Sequence, residues 1–302
     1  MNGPPLGVLL LDKPLGLSSN AALQRVRRLA GGIKAGHTGS LDPLASGMLP
    51  ICLGEATKLA GEMLALRKCY QFGIQLGERS ETGDAEGAIV ERCPVPALTP
   101  DAVEAVLLRF HGPQQQTPPM YSALKRDGEP LYRLARRGQT VERAARSLVI
   151  DSLQLLSLQE ARLELRVLCS KGTYVRVLAE DLARALGSCG RLYRLRREYV
   201  EPFAGESMVS LEQLEAINQP VGSWPLLPAD RALMHLPALR LTAPAVRALL
   251  HGQPVHGAAC GAALWRLYGA DECFLGLGES DAADVLRPRR LFNSARQQPV
   301  AG

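Results

Sequence analysis

The chain has 302 residues, 46% hydrophobic and 22% charged, with a formal net charge of +5. This length and composition predict about two globular domains with a buried core. No apolar stretch approaches the roughly 18 residues that span a bilayer, so we expect a soluble, cytoplasmic protein that does not enter the membrane.

The first predicted elements are a strand and a helix. The opening segment MNGPPLGVLLLDKP lacks the basic region and the cleavage site of a signal peptide, and its apolar run predicts a strand. Polar residues that favour a helix N-terminus follow at positions 18–20, and Gly31-Gly32 provides a stop. The helix between them would bury Ala22, Val26 and Leu29.

The middle of the chain predicts two strands and two helices. Segments 68–77 and 161–170 alternate apolar and polar residues, as half-buried strands do. Their core-facing side chains would be Tyr70, Phe72, Ile74 and Leu76 in the first and Leu163, Leu165, Val167 and Cys169 in the second. Thr99-Pro100-Asp101 marks the start of one helix, and a helical period from Val175, directly after KGTY, predicts the other.

From about residue 238 the pattern changes to a short helix and then short strands separated by glycine turns. This pattern predicts a small β-rich module. The preceding residues 218–230 are rich in Gly, Pro and polar residues and are interpreted as a linker. We therefore expect a first domain over residues 1–232, a second over 238–294 and a frayed tail over 295–302.

Several kinds of functional site find no support. The seven cysteines include no C-x-x-C pair and are odd in number, which predicts reduced thiols and not a disulfide framework or a zinc site. The five histidines are scattered, and no phosphate-binding G-x-x-x-x-G-K-[ST] loop is present. Ser122 and Lys125 match S-x-x-K without its companion motifs, so the match carries no weight.

Basic residues are concentrated in segments 24–37, 121–147 and 184–197, and the first and last contain no acidic residue. Most of them are arginines, which suit phosphate groups and base stacking. Each segment alone is typical of a solvated helix surface. Together, in a chain of nearly balanced charge, they favour a polyanionic partner such as nucleic acid.

Residues 36–58, GHTGSLDPLASGMLPICLGEATK, set one carboxylate among small residues. Pro43 favours an extended or turn backbone at Asp42, and glycines permit close approach of a ligand. Such a loop could present Asp42 to a pocket as a nucleophile or a base. The alternative, slightly favoured by local chemistry alone, is an Asp-Pro turn whose carboxylate bonds its own backbone.

Six segments share one resemblance: LLLDKPLGLSS, GHTGSLDPLASGMLPICLGEATK, KCYQFGIQLG, PPMYSALK, CSKGTYVRVLAEDLARALG and LRR. They resemble the TruB family, the bacterial tRNA pseudouridine-55 synthases, over nearly the whole chain. The resemblance implies an α+β fold: a mixed, largely antiparallel sheet with flanking helices, plus a C-terminal PUA-like β-barrel that binds RNA. It also implies isomerisation of uridine to pseudouridine in the T stem-loop of tRNA, with no cofactor, no metal and no obligate protein partner.

The resemblance further implies roles for particular residues. Asp42 would be the essential carboxylate, and Arg176 would pair with it and keep it charged and oriented. Tyr70 would stack on the target uracil, a contact worth about 1–3 kcal/mol. The other substrate contacts would come from His37, Tyr174 and Leu195. Two departures from the family pattern, Cys69 and the turn around Asp84, are expected to lie outside the reacting centre.

Two other functions remain open. One is an RNA-binding or tRNA-folding protein in which catalysis is secondary, although pure binding does not require a reactive carboxylate. The other is a pseudouridine synthase with a different RNA target, although the chain has no long Lys-rich tail of the kind seen in eukaryotic guide-dependent relatives. The sequence also leaves open whether Asp42 adds to uracil C6, attacks ribose C1′ or removes a proton from C2′.

Overall fold

The computed structural model describes residues 7–217, 223–258, 261 and 263–293, which form eighteen strands and seven α-helices. The strands are β1 (Gly7–Lys13), β2 (Ala35–His37), β3 (Ala45–Leu53), β4 (Lys68–Leu76), β5 (Glu78–Ser80), β6 (Ile89–Arg92), β7 (Gly112–Gln116), β8 (Lys125–Arg126), β9 (Glu129–Pro130), β10 (Arg146–Gln159), β11 (Arg162–Cys169), β12 (Gly190–Val200), β13 (Leu226–Leu227), β14 (Ala238–Arg240), β15 (Val255–His256), β16 (Ala263–Tyr268), β17 (Phe274–Ser280) and β18 (Val285–Leu291). The helices are α1 (Ser19–Leu29), α2 (Ala60–Leu64), α3 (Pro100–Leu107), α4 (Leu131–Arg136), α5 (Val175–Ala185), α6 (Leu211–Ala216) and α7 (Ala243–Leu250). Within these ranges no helix has both the length and the apolar character that a membrane span requires.

Nine of the described strands form one sheet in the order β13-β1-β3-β12-β4-β11-β10-β7, with β2 paired to β3 beside this row. β12 pairs in parallel with β3, and the other pairings described for this sheet are antiparallel. The predicted mixed, largely antiparallel sheet is therefore confirmed. Because the parallel pairing sets Leu195 opposite Ala45, the loop that enters β3 lies beside the middle of β12.

The core on one face of this sheet comes from the two strands whose alternation predicted it. All eight predicted core residues are at most 8% exposed: Tyr70, Phe72, Ile74, Leu76, Leu163, Leu165, Val167 and Cys169. Val103 of α3 and Leu178 of α5 belong to the same apolar cluster, so both predicted helices cover this face. β4 lies between β12 and β11 and is also buried at Cys69 and Gly73, so it is more enclosed than the half-buried strand we expected.

Helix α1 begins and ends where it was predicted. Ser18 caps the helix by accepting a hydrogen bond from the N–H of Ala21, and the glycines at 31–32 follow its end with positive φ. The helix buries Ala22 and Val26. Leu29 is 38% exposed, so its assignment to the core is wrong. The helix ends at Leu29, and the next residue, Ala30, packs in the apolar cluster instead.

The predicted C-terminal β-rich module is confirmed. Its five strands lie in the order β14-β16-β17-β18-β15 and are accompanied by α7. Leu277 and Phe292 of this module join an apolar cluster with Val8, Val200 and Phe203. The module therefore packs directly on the N-terminal part of the chain.

Part of the expected linker belongs to the main sheet. Leu226 and Leu227 pair with β1, and Trp224 is only 6% exposed. The linker interpretation is wrong for these residues because a two-residue edge strand leaves no periodic pattern in a Pro-rich segment. Residues 218–222 and the expected frayed tail, 295–302, lie outside the described residues, and the domain boundaries remain predictions.

Two of the seven cysteines correct the expectation of reduced thiols. Cys93 and Cys189 form a disulfide, with Cα atoms 5.6 Å apart. Gly77 brings them together, because its carbonyl accepts from the N–H of Cys93 and its N–H donates to the carbonyl of Cys189. The two cysteines are 96 residues apart, so no local spacing indicated the pairing. Cys52, Cys69 and Cys169 carry free thiols, as expected.

Candidate active site

Asp42 lies in the turn between β2 and β3, and the backbone on both sides of it is anchored. The N–H of Leu41 donates to the Ser19 hydroxyl at 2.6 Å, and that hydroxyl donates to the Leu41 carbonyl at 3.0 Å. On the other side, the N–H of Gly16 donates to the Pro43 carbonyl at 2.8 Å. These bonds hold the turn without using the carboxylate of Asp42, which remains 45% exposed.

Arg176, the second residue of α5, meets that carboxylate. Its Nε lies 3.0 Å from Oδ2 of Asp42. Nη1 donates to the carbonyl of Thr82 at 2.8 Å, and Nη2 donates to the carbonyl of Tyr121 at 2.7 Å. Because three separate segments hold the buried guanidinium, its planar fork has one orientation. The expected contact between Arg176 and Asp42 is present, and the carboxylate faces this arginine instead of its own turn.

Asp42 and Arg176 open into a cavity of about 570 Å³ that Tyr70, Tyr174 and Leu195 also line. The structure therefore brings together five of the six residues that the resemblance implied. Burial raises the pKa of the hydroxyl of Tyr70 and that of Tyr174. Both tyrosines are neutral at pH 7, so each offers an aromatic ring and a hydroxyl that can donate or accept a hydrogen bond.

His37 is not among the residues that line this cavity. It ends β2, opposite Ile51 of β3, and is partly exposed. Burial and the nearby Arg197 lower the pKa of its imidazole, so the ring is neutral at pH 7. Its buried Nδ1 has no hydrogen-bond partner among the described residues. The ring could thus contact a bound RNA, but the structure does not join it to Asp42.

Asp84 does not line the cavity, in agreement with its expected place outside the reacting centre, but it contacts Arg176. Its Oδ2 lies 3.7 Å from Nε of Arg176. Its Oδ1 accepts from the Thr82 hydroxyl at 2.5 Å and from the N–H of Glu86 at 3.1 Å. The Thr-Gly-Asp turn in the sequence indicates these local bonds, because Asp in such turns bonds the backbone two residues on. Cys69, the other departure, does not line the cavity, as expected.

Three cations that the sequence did not single out as site residues also line the cavity, of which two are buried and the third, Lys171, is exposed. Lys68, at the start of β4, is 6% exposed, and Arg197, in β12, is 1% exposed. The ammonium of Lys68 donates to the carbonyls of Leu64 and Leu66, at 2.8 and 2.5 Å. Burial, followed by the nearby Arg197, lowers the pKa of Lys68 to about 8. The site therefore holds more positive charge than the pair formed by Asp42 and Arg176.

Family models match both parts of the chain. The model of the TruB family pseudouridylate synthase (N terminal domain) matches residues 27–175. The model named pseudouridine synthase II TruB, C-terminal, matches residues 237–292. The first match contains Asp42 and Tyr70, and the second covers the module that begins at β14.

Relatives of similar length match nearly the whole chain. The tRNA pseudouridine synthase B of Chromohalobacter salexigens is 49% identical over 297 residues, which cover 97% of this chain and 96% of the relative. The protein of the same name from Aromatoleum aromaticum is 50% identical over 289 residues, which cover 95% of this chain and 93% of the relative.

Solved structures share the fold. An H/ACA ribonucleoprotein bound to a substrate RNA containing 2′-deoxyuridine matches with a TM-score of 0.74 and 21% identity, covering 98% of this chain and 87% of that chain. A Cbf5–Nop10–Gar1 complex matches with a TM-score of 0.70 and 24% identity, covering 92% of this chain and 79% of that chain. These matches agree with the predicted α+β class. With two relatives about half identical over almost their full length, the chain belongs to the TruB family of pseudouridylate synthases.

Proposed function

We propose that this pseudouridine synthase acts on tRNA, at the uridine in position 55 of the T-arm loop, with Asp42 as the essential carboxylate. The names of the relatives, tRNA pseudouridine synthase B, support tRNA as the substrate. The T-arm position follows from the resemblance of the sequence motifs. The enzyme would work in the cytoplasm, where tRNA is matured, and without an obligate protein partner.

The observation that carries the role of Asp42 is its position in the cavity. Among the described residues that line the cavity, it is the single carboxylate, and a buried arginine fixes its orientation. A uridine in a folded loop is stacked, so the target nucleotide must be flipped out of the stack to reach Asp42. The face of Tyr70 offers a stacking surface for the flipped uracil, and Tyr174 and Leu195 would enclose it.

The reaction moves one base from a bond through N1 to a bond through C5. Asp42 could attack C1′, remove the proton from C2′ or add to C6 of the uracil. Each route requires the detached base to stay beside the ribose while it turns, and a cavity of about 570 Å³ has room for this rotation. The aliphatic wall formed by Leu195 and neighbouring side chains would restrict the access of water during that step.

Contacts to the rest of the RNA would come from exposed basic side chains. Helix α1 presents Arg25, Arg27 and Arg28 to solvent. Such contacts to phosphates make binding depend on salt concentration, whereas recognition of a T-loop depends mainly on shape and unstacked bases. The C-terminal module, whose β-rich form agrees with a PUA-like domain, would extend this surface.

The proposal is tested by tritium release from tRNA labelled with [5-³H]uridine, in the presence of a chelator and without an added cofactor. We expect release of label from one T-loop uridine, and we expect Asp42→Asn to lower the rate at least about 10⁴-fold while tRNA binding is retained. Asn keeps the size of the side chain but has no charge to act as a nucleophile or a base.

A matched control is Asp151→Asn. Asp151 also pairs with an arginine, since its Oδ1 lies 2.9 Å from Nη2 of Arg67, but this pair lies outside the cavity lining. The control should retain full activity. Turnover by folded Asp42→Asn protein would refute the role of Asp42. Release of tritium from uridines outside the T-loop would favour a different RNA target. Binding without any isomerisation by the unaltered chain would favour an RNA-folding protein.

A further inference from the structure

Arg197 stands at the centre of the strands that carry the site. In the sheet it lies opposite Tyr70 of β4 and opposite Gly47 of β3. Its Nε donates to the carbonyl of Met48 at 2.6 Å, and its Nη2 donates to the carbonyl of Gly39 at 3.2 Å. The two acceptors lie on either side of Asp42 along the chain, and the guanidinium carbon is 6.0 Å from the centroid of the Tyr70 ring.

No carboxylate among the described residues lies within ion-pair distance of Arg197 or of Lys68. Both side chains are nine-tenths or more buried, and both donate hydrogen bonds to backbone carbonyls. The two side chains approach each other at the wall of the cavity beside Gly39. A methyl group built on Gly39 would lie 3.6 Å from Nη1 of Arg197 and 3.9 Å from Cε of Lys68.

The charges that line the cavity do not balance. Asp42 is paired with Arg176, so the charges of Arg197 and Lys68 are not neutralised by a side chain of the lining. A buried charge that lacks a counter-charge is costly, and proteins keep such charges mainly where they act on a ligand. The cavity is therefore suited to an anion that is present only when substrate is bound.

The proposed reaction generates such an anion in this place. When the C1′–N1 bond breaks, its electron pair stays with the uracil, which becomes an anion delocalised over N1, O2 and O4. The C1′ carbon is taken by the Asp42 carboxylate, or C2′ loses a proton to it. The electrons of the anion then form the C5–C1′ bond while the ester bond between Asp42 and C1′ breaks, or while C2′ takes its proton back from Asp42. The proton on C5 then leaves, and N1 takes up a proton. Addition of Asp42 to C6 would likewise place the negative charge on the base.

We propose that Arg197, assisted by Lys68, stabilises the uracil anion that forms when the glycosidic bond breaks. The proposal rests on the proposed function but is independent of the route by which Asp42 acts, since all three routes put negative charge on the base. Fixed positive charge on buried side chains stabilises a developing anion without having to reorganise. Arg197 would also hold the two flanks of the Asp42 loop, so a test must separate its charge from its structural role.

The test compares two RNA stem-loops that carry uridine or 5-fluorouridine at the target position. Fluorine withdraws electrons and stabilises the base anion, so cleavage of fluorouridine needs less help from the protein. We measure single-turnover cleavage at saturating RNA as loss of the intact nucleoside from a nuclease digest. Arg197→Gln should slow cleavage of uridine about 100-fold, and the loss on fluorouridine RNA should be roughly tenfold smaller.

The neighbouring Arg196→Gln is the matched control. Arg196 is in the same strand and pairs with Asp12, outside the cavity lining, so it should leave both rates unchanged. Equal losses on the two RNAs would overturn the proposal in favour of a structural role. Weaker RNA binding with unchanged rates at saturation would also overturn it, because the cations would then bind a backbone phosphate.

Two further measurements keep the test decisive. If Arg197→Gln does not fold, Lys68→Gln is assayed on the same pair of RNAs, and an equal loss on both would overturn the proposal. Failure of the unaltered chain to convert uridine RNA into pseudouridine RNA would instead count against the proposed function. The two failures are therefore distinguishable.

Discussion

The two faces of β12 carry arginines in contrasting environments. On the outer face, Arg196 lies 2.8 Å from a carboxylate oxygen of Asp12, and Arg194 lies 3.9 Å from one of Glu164. On the inner face, the fully buried Arg197 contacts backbone carbonyls and the ring of Tyr70. The cations that most need a counter-charge are thus the ones without a carboxylate. This contrast distinguishes surface arginines that pair with carboxylates from a buried arginine that is available to bind a ligand.

The same contrast revises the meaning of the basic segment 184–197. We expected its five arginines to favour a polyanionic partner. Four of them lie within 4.0 Å of a carboxylate, namely Arg184, Arg191, Arg194 and Arg196. The fifth, Arg197, is buried. The segment therefore supplies one cation to the cavity, and exposed helix α1 is a better candidate for contacts with the RNA backbone.

The burial of Arg197 on the inner face of β12 depends on the close approach of β12 to β3, and Gly47 makes this approach possible. Its φ is +100°, and a Cβ atom there would overlap the carbonyl oxygen of Arg197. Gly47→Ala must separate the two strands and displace Arg197. We expect the free energy of unfolding to fall by about 3–5 kcal/mol and activity to be lost, measured by chemical denaturation and tritium release.

The control for this change is Gly61→Ala. Gly61 lies in α2, and a Cβ atom there would contact nothing within 4 Å. Alanine favours a helix by about 1 kcal/mol over glycine, so this variant should be equally stable or more stable. A Gly47→Ala protein that kept its stability and activity would contradict the prediction. It would show that the site around Arg197 tolerates a wider spacing between β3 and β12 than the structure has.

A second prediction concerns the pH range in which two buried lysines, Lys68 and Lys13, keep their charge. Burial lowers the pKa of Lys68 and that of Lys13 to about 8. A lysine carries its charge only below its pKa, so the positive charge near the cavity declines as the pH rises through 8. The single-turnover rate should therefore fall above about pH 8.

After the effect of burial, repulsion from Arg197 lowers the pKa of Lys68, and it also lowers that of Lys13, where the nearby Asp42 has a larger, opposite effect. In Arg197→Gln the descending limb of the pH–rate profile should therefore move to higher pH, although the rate itself is lower. Arg196→Gln should leave the limb where it is. A profile that is flat up to about pH 9 in the unaltered chain would contradict the prediction.

How much of the site could be read from the sequence depended on the range of the interactions. The alternation of β4 placed Tyr70 on the core face, and the helical period after KGTY placed Arg176 in the first turn of α5. Arg197 looked like a surface cation because its burial results from the parallel pairing of β12 with β3, two strands that are far apart in the chain. Lys68 was not singled out because its burial results from the pairing of β4 with β11 and β12, which is also long-range. The pattern of apolar residues within one segment does not indicate which distant strand it pairs with.

The disulfide and the contact between Asp84 and Arg176 were missed for the same reason. Cys93 and Cys189 meet only because both segments bond to Gly77. Asp84 contacts Arg176 only because α5 brings this arginine to within 3.7 Å of its carboxylate. The roles of individual residues, as distinct from their burial, came from the family resemblance, since an alternating strand presents Tyr70 and Phe72 in the same way.

The smallest expected effect concerns the outer face. Arg196 and Asp12 are each about one-third exposed, so water and salt screen their attraction. Arg196→Gln should lower the free energy of unfolding by about 0–1 kcal/mol, and a double-mutant cycle with Asp12→Asn should give a coupling of the same size that decreases as salt is added. A coupling of several kcal/mol that is insensitive to salt would mean that the outer pair is also effectively buried. In that case, pairing with a carboxylate would reflect burial and would no longer distinguish a surface arginine from one that serves a ligand.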